Sequence, residues 1–184
     1  MNFTTKIRNI TLKTLTELEE ANAKIAELER EKQNYYKPAF AELMDKATAR
    51  REEAISSGRN QVSAEIDLFK CEVRKRYTPN GEDLHADAAL LTTPGVEINR
   101  EDMEALLDKH AGNITMQKLL FKYAEAQKLN IGRVFVSEKQ MCEAADSMKQ
   151  YFENAMSRPG YAEVFRNDAW FNKACPDILR GGWA

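Results

Sequence analysis

Histidine, cysteine, glycine and proline are all scarce in this chain of 184 residues, which holds two, three, eight and five of them. The two histidines, His85 and His110, stand far apart, and no His or Cys pair has the spacing of a metal-ligand motif, so no metal site is expected. Cys71, Cys142 and Cys175 are odd in number and widely separated, which reads as reduced thiols in a cytosolic protein and not as a disulfide framework. Glycine-rich phosphate loops are missing; Gly181-Gly182 stands behind no strand. No cofactor and no catalytic set is expected from these residues, and Cys175 has no histidine near it in sequence. An excess of one charge is also lacking. Lys and Arg number 27 against 29 Asp and Glu, a net charge of −2, which leaves no bulk attraction to nucleic acid or to a membrane surface. No run approaches the length of a membrane span. The segment MNFTTKIRNITLKTL has no continuous apolar core of secretory kind, so a cytoplasmic protein is expected.

What the chain does have is charge, alanine, leucine and helical periodicity, the composition of an all-α protein with coiled-coil character. The first third organises the rest. Leu18 and Ile25 mark one seam position, and Ile7, Ala21, Leu28 and Tyr35 the other, at alternating spacings of three and four. Thr11, Thr14 and Lys32 interrupt the stripe. Its flanks carry Glu17, Glu19, Glu20, Lys24, Glu27, Glu29, Arg30 and Glu31. No Gly or Pro breaks residues 1–37, a run roughly 50 Å long if wholly helical. A helix with so narrow a stripe must bury it against a partner, either a returning helix or a second chain. Self-association through Ile7, Leu18, Ile25 and Leu28 is the expected outcome.

Pro38 predicts a kink or break near Tyr36–Lys37. Beyond it Phe40, Leu43, Ala47, Ala54, Val62, Ile66, Phe69 and Val73 continue the stripe. Ser56-Ser57-Gly58 is a weak point in it, with the glycine costing about 1 kcal/mol relative to alanine. The arm is either one bent rod or an antiparallel pair. Thr78-Pro79-Asn80-Gly81 ends it. The expected organisation is a helical arm over residues 1–77, a linker over 78–98 with a short helix near Asp83–Leu91, and a small helical domain over 99–184.

Within that last segment Asn99 reads as an N-cap with Glu101 and Asp102 behind it. Asn113 or Thr115 starts a second helix carrying Met116, Leu119, Leu120, Tyr123 and Ala124. Val134-Phe135-Val136 is an apolar lead-in, and Ser137 with Gln140 has capping-box spacing. The final stretch is aromatic, with Tyr161, Phe165, Trp170, Phe171 and Trp183. Trp170, Phe171 and Trp183 are the expected partner contacts, since such side chains supply much of the energy of protein interfaces.

The two helices of 99–129 raise the alternative of a nucleic-acid regulator. Gln117 has the donor and acceptor that pair with adenine, while Lys118, Lys122 and Lys128 suit phosphates. Glu125 on the same helix, and the excess of acids after Gly81, count against it. Arg74-Lys75-Arg76 is the one compact basic cluster, at a helix C-terminus that favours cations. His110, near another helix C-terminus, is expected to be structural.

The run Asp87-Ala88-Ala89-Leu90-Leu91, then Pro94-Gly95-Val96-Glu97-Ile98 and Asn113-Ile114-Thr115-Met116, resembles small uncharacterised proteins of tailed bacteriophages infecting Gram-positive bacteria. The resemblance covers residues 83–129. The charged arm before it is similar in kind to phage scaffolding proteins, which are elongated, helical and self-associating. The resemblance implies a non-enzymatic structural or head-morphogenesis protein of a bacterial host's cytoplasm or of the virion. It would be a homo-oligomer that docks a phage structural protein. A helical regulator of nucleic acid or of a host protein is the alternative.

Overall fold

The structure, a computed structural model, describes residues 2–180. It is all-α: among the described residues there are eight α-helices, three short 3-10 segments and no strand. The helices are α1 (Phe3–Arg30), α2 (Lys37–Tyr77), α3 (Arg100–Lys109), α4 (Ile114–Ala126), α5 (Glu138–Ser157), α6 (Pro159–Arg166), α7 (Asp168–Ala174) and α8 (Asp177–Arg180). They divide into two compact units, residues 2–69 with 143–180, and Lys70–Cys142. The sequence suggested a different division, with 99–184 as one domain. The helices from residue 143 onward instead share a core with the N-terminal arm.

In the first unit α1 and α2 form an antiparallel pair. The Asn2 side chain accepts from the Thr4 N–H and starts α1. A 3-10 turn at Lys32–Asn34 and extended Tyr35 reverse the chain. Pro38 then falls in the first turn of α2, where the missing N–H is no loss. The expected break is present, but α1 ends at Arg30, ahead of Tyr36–Lys37, and the arm folds back. Phe3 stacks on Phe69 with ring centroids 4.2 Å apart, Lys6 pairs with Glu65 at 3.0 Å, and Arg51 donates to Asn22 at 3.0 Å.

The stripe on α1 is buried as Phe3, Ile7, Thr11, Thr14, Leu15, Leu18, Ala21 and Leu28. On α2 it is met by Ala47, Ala54, Val62, Ile66 and Phe69, and α5 contributes Ala145, Met148, Phe152 and Ala155. Each large side chain so buried stabilises the fold by roughly 1.5–3 kcal/mol. The seam threonines cause no deficit, because Thr11 and Thr14 donate to the carbonyls of Ile7 and Ile10 at 2.8 and 2.9 Å. Gly58 faces this junction. A Cβ there would run into Oγ1 and Cγ2 of Thr14 and lie 3.0 Å from the Phe152 ring. The glycine that looks like a weakness in the sequence is what lets α2 approach α1 so closely.

Arg8 ties α1 to the short helices. Its guanidinium donates to the Phe165 carbonyl at 2.7 Å and the Arg166 carbonyl at 3.2 Å, pairs with Asp168, and lies 5.7 Å over the Phe171 ring. One cation thus satisfies the C-terminal carbonyls of α6 and meets the acid that opens α7.

The second unit is built on local signals. Asn99 and Asp102 form a reciprocal capping box on α3, and Asn113 caps α4 by accepting from Met116 N–H at 2.9 Å. Lys128, with φ of 55°, turns the chain out of α4, and Leu129 N–H closes on the Ala124 carbonyl at 2.8 Å. Met103, Leu107, Leu120, Ala124 and Ile131 form the core. The expected lead-in holds: Phe135 packs on Tyr77 and Phe121, Tyr77 donates to the Val136 carbonyl at 2.8 Å, and Ser137 and Gln140 cap each other.

Candidate functional site

The residues singled out from the sequence scatter once the chain is folded. Ile7, Leu18 and Leu28 are buried at 0, 6 and 1 % exposure by the chain's own helices, and Ile25 is half-buried. The seam expected to receive a second copy is closed within the chain, because α2 and α5 supply the apolar surface it needs. Phe171 is buried and packs on Phe165 with centroids 5.2 Å apart. Trp170, its neighbour on α7, is 55 % exposed. Trp183 lies outside the described residues.

Gln117 is also committed internally, donating to the Leu107 carbonyl at 2.6 Å. The side chain that would have read adenine instead ties α4 to the last turn of α3. Lys118 and Lys122, one turn apart on α4, enter no ion pair among the described residues.

Two features of the second unit were not legible as sites. The first is an apolar groove of about 730 Å³ between the 3-10 segment Ala86–Leu91 and α4. Leu84, Ala88, Leu91, Leu119 and Tyr123 line it. A hollow of about 420 Å³ shares Leu84 and Leu119 with it and is flanked by Lys118 and Lys122. Leu84 remains 50 % exposed. The segment earlier read as linker therefore forms one wall of a groove.

The second feature is a cluster of His85, Asp87, Lys109 and His110. His85 caps the 3-10 segment, its Nδ1 accepting from Asp87 N–H at 3.2 Å. Asp87 reaches back to the end of α3, where Oδ2 meets Lys109 Nζ at 2.7 Å and His110 Nε2 at 2.8 Å. The Lys109 ammonium first, and His110 second, hold the Asp87 carboxyl down to about 2, so it is ionised at any ordinary pH. His110 is 6 % exposed, and its ring lies 4.9 Å from that of His85. Among the described residues, His85, Asp87 and His110 are the group whose donor atoms come together as metal ligands would, all within 4.8 Å. Local spacing missed it because 23 residues separate Asp87 from His110. The one available signal was His85-Ala86-Asp87, an imidazole and a carboxylate two residues apart.

No helix among the described residues is long and apolar enough to cross a membrane. Comparison with protein-family models, curated proteins and solved structures finds no match to the chain.

Proposed function

We propose that the protein is a non-enzymatic structural or assembly protein of bacteriophage type, which docks an acidic, amphipathic helix of a partner protein in the groove of its second unit. One observation carries this reading. The groove is lined by apolar Leu84, Leu119 and Tyr123, and beside it stand Lys118 and Lys122, two ammonium groups that enter no ion pair among the described residues. An apolar stripe flanked by acids complements both at once, and rim charge steers encounter with such a partner. Trp170, exposed on α7 of the first unit, is a separate candidate contact. Self-association through the α1 seam has no place in this reading, since Ile7, Leu18 and Leu28 are already covered. The phage context rests on the resemblance of residues 83–129.

The test is site-specific photo-cross-linking of the full chain in cells that carry its genetic neighbours, with the probe at Leu84 or Leu119 and a control probe at exposed Lys46. Cross-links from positions 84 and 119 to an acidic helix of one protein, absent from position 46 and lost in Lys118→Glu with Lys122→Glu, would support the proposal. Equal labelling at all three positions would discard it. A mobility shift with duplex DNA at low salt that fades steeply as salt rises would favour the nucleic-acid regulator.

A further inference from the structure

We propose that His85, Asp87 and His110 form a binding site for a divalent transition metal of the zinc class, which clamps the 3-10 segment Ala86–Leu91 onto the end of α3. The inference does not depend on what the groove binds. Two imidazoles and one carboxylate are a donor set that suits zinc, with water filling the open position. The three come from two elements that nothing in the local sequence joins, and they converge: His85 Nδ1 lies 3.3 Å from Asp87 Oδ1, and His110 Nε2 lies 2.8 Å from Asp87 Oδ2. Ligands on one tetrahedral ion stand roughly 3–3.5 Å apart. The 2.8 Å contact has to widen and the widest separation, within 4.8 Å, to contract, and the His85 side chain, 48 % exposed on its loop, has room to swing.

The protonation states suit the role. Asp87 N–H donates to His85 Nδ1, so the neutral ring carries its proton on Nε2, and a metal would take the Nδ1 lone pair in exchange for that hydrogen bond. On binding, the proton that His110 shows to Asp87 moves to its Nδ1, freeing Nε2. The displaced group is Lys109. Its ammonium now occupies the cationic position beside Asp87 Oδ2, and its side chain is 55 % exposed, so it can turn out to solvent. Lys109 is thus a built-in competitor that weakens the site.

The experiment uses the full chain stripped with chelator, titrated with Zn²⁺ alone at neutral pH by calorimetry and by competition with a chromogenic chelator. One ion per chain is expected, with a Kd on the order of 1 μM, and with a rise in melting temperature. His85→Ala should weaken binding about tenfold or more. His110→Ala should abolish it. Because His110 is buried and its loss threatens folding, the exposed His85 carries the decisive comparison. Lys109→Met should tighten binding. Co²⁺ in place of Zn²⁺ should give d–d bands with no thiolate charge-transfer band, which separates this site from the cysteines. A thiolate band, or affinity unchanged in His85→Ala, would overturn the assignment.

Discussion

The two units of this chain are held by different kinds of information. In the first, long helices find each other by a stripe: α1 and the N-terminal part of α2 bury residues at 3–4 spacing, and α5 adds a third face. In the second, helices of 10 and 13 residues are too short to persist on a stripe alone. Asparagine caps, a capping box and two 3-10 segments fix their ends. The difference teaches where each unit is vulnerable. The first should fail at its packed junction, the second at its ends and at the contacts that hold its loop.

The strongest challenge to that contrast is Phe152→Ala. Phe152 is fully buried, and its loss should cost about 3–5 kcal/mol. Denaturant unfolding followed by circular dichroism measures it. Hydrogen exchange should accelerate across α1 and residues 37–69 while α3 and α4 keep their protection. Equal acceleration in α3 and α4 would erase the distinction between the units.

Gly58→Ala sharpens the contrast further. In an exposed helix that change would gain about 1 kcal/mol. Here it should lose about 1–3 kcal/mol, because the new methyl meets Thr14. In a Thr14→Ala background the loss should largely vanish, a coupling that a double-mutant cycle reads directly. A stabilising Gly58→Ala in the native chain would mean that α1 and α2 have slack.

The smallest effect concerns Arg59 and Glu153, a two-pronged pair at 2.6 and 2.8 Å within the first unit. The Arg59 hydrogen bond holds the Glu153 carboxyl below its ordinary 4.5. A lowered carboxyl contributes stability that is complete above pH 4.5 and lost as pH falls through the lowered value. The pair should be worth about 0.2–1 kcal/mol. Wild type and Arg59→Gln should therefore differ slightly in unfolding free energy at neutral pH and converge in acid. A difference that persists at pH 2 would assign the effect to packing of the arginine stem.

This contrast also explains what could be read from residues in a row. The N-cap at Asn99, the capping box at Ser137, the turn at Pro79 and a break ahead of Pro38 depend on neighbours two to four residues apart, and the sequence predicts each of them. The stripe on α1 was equally plain, but its partner was not. A period says that a face must be buried, and never by what. The same heptad pattern fits a second copy or a returning helix, and here Phe69, Val62 and Phe152 of the same chain took the place of the copy. The candidate sites lie beyond local reading for the same reason. His110 joins Asp87 from 23 residues away, and the groove needs α4 against a segment that looked like linker.

The order in which the chain is made gives the first unit a particular hazard. Residues 2–69 leave the ribosome well before residues 143–180, which complete their core. At about 5–20 residues per second, the nascent hairpin waits roughly 4–15 s with its third apolar face bare. During that interval Ile7, Val62 and their neighbours are exposed to whatever else is greasy in the cell. The newborn protein thus has a window of stickiness that the finished one lacks.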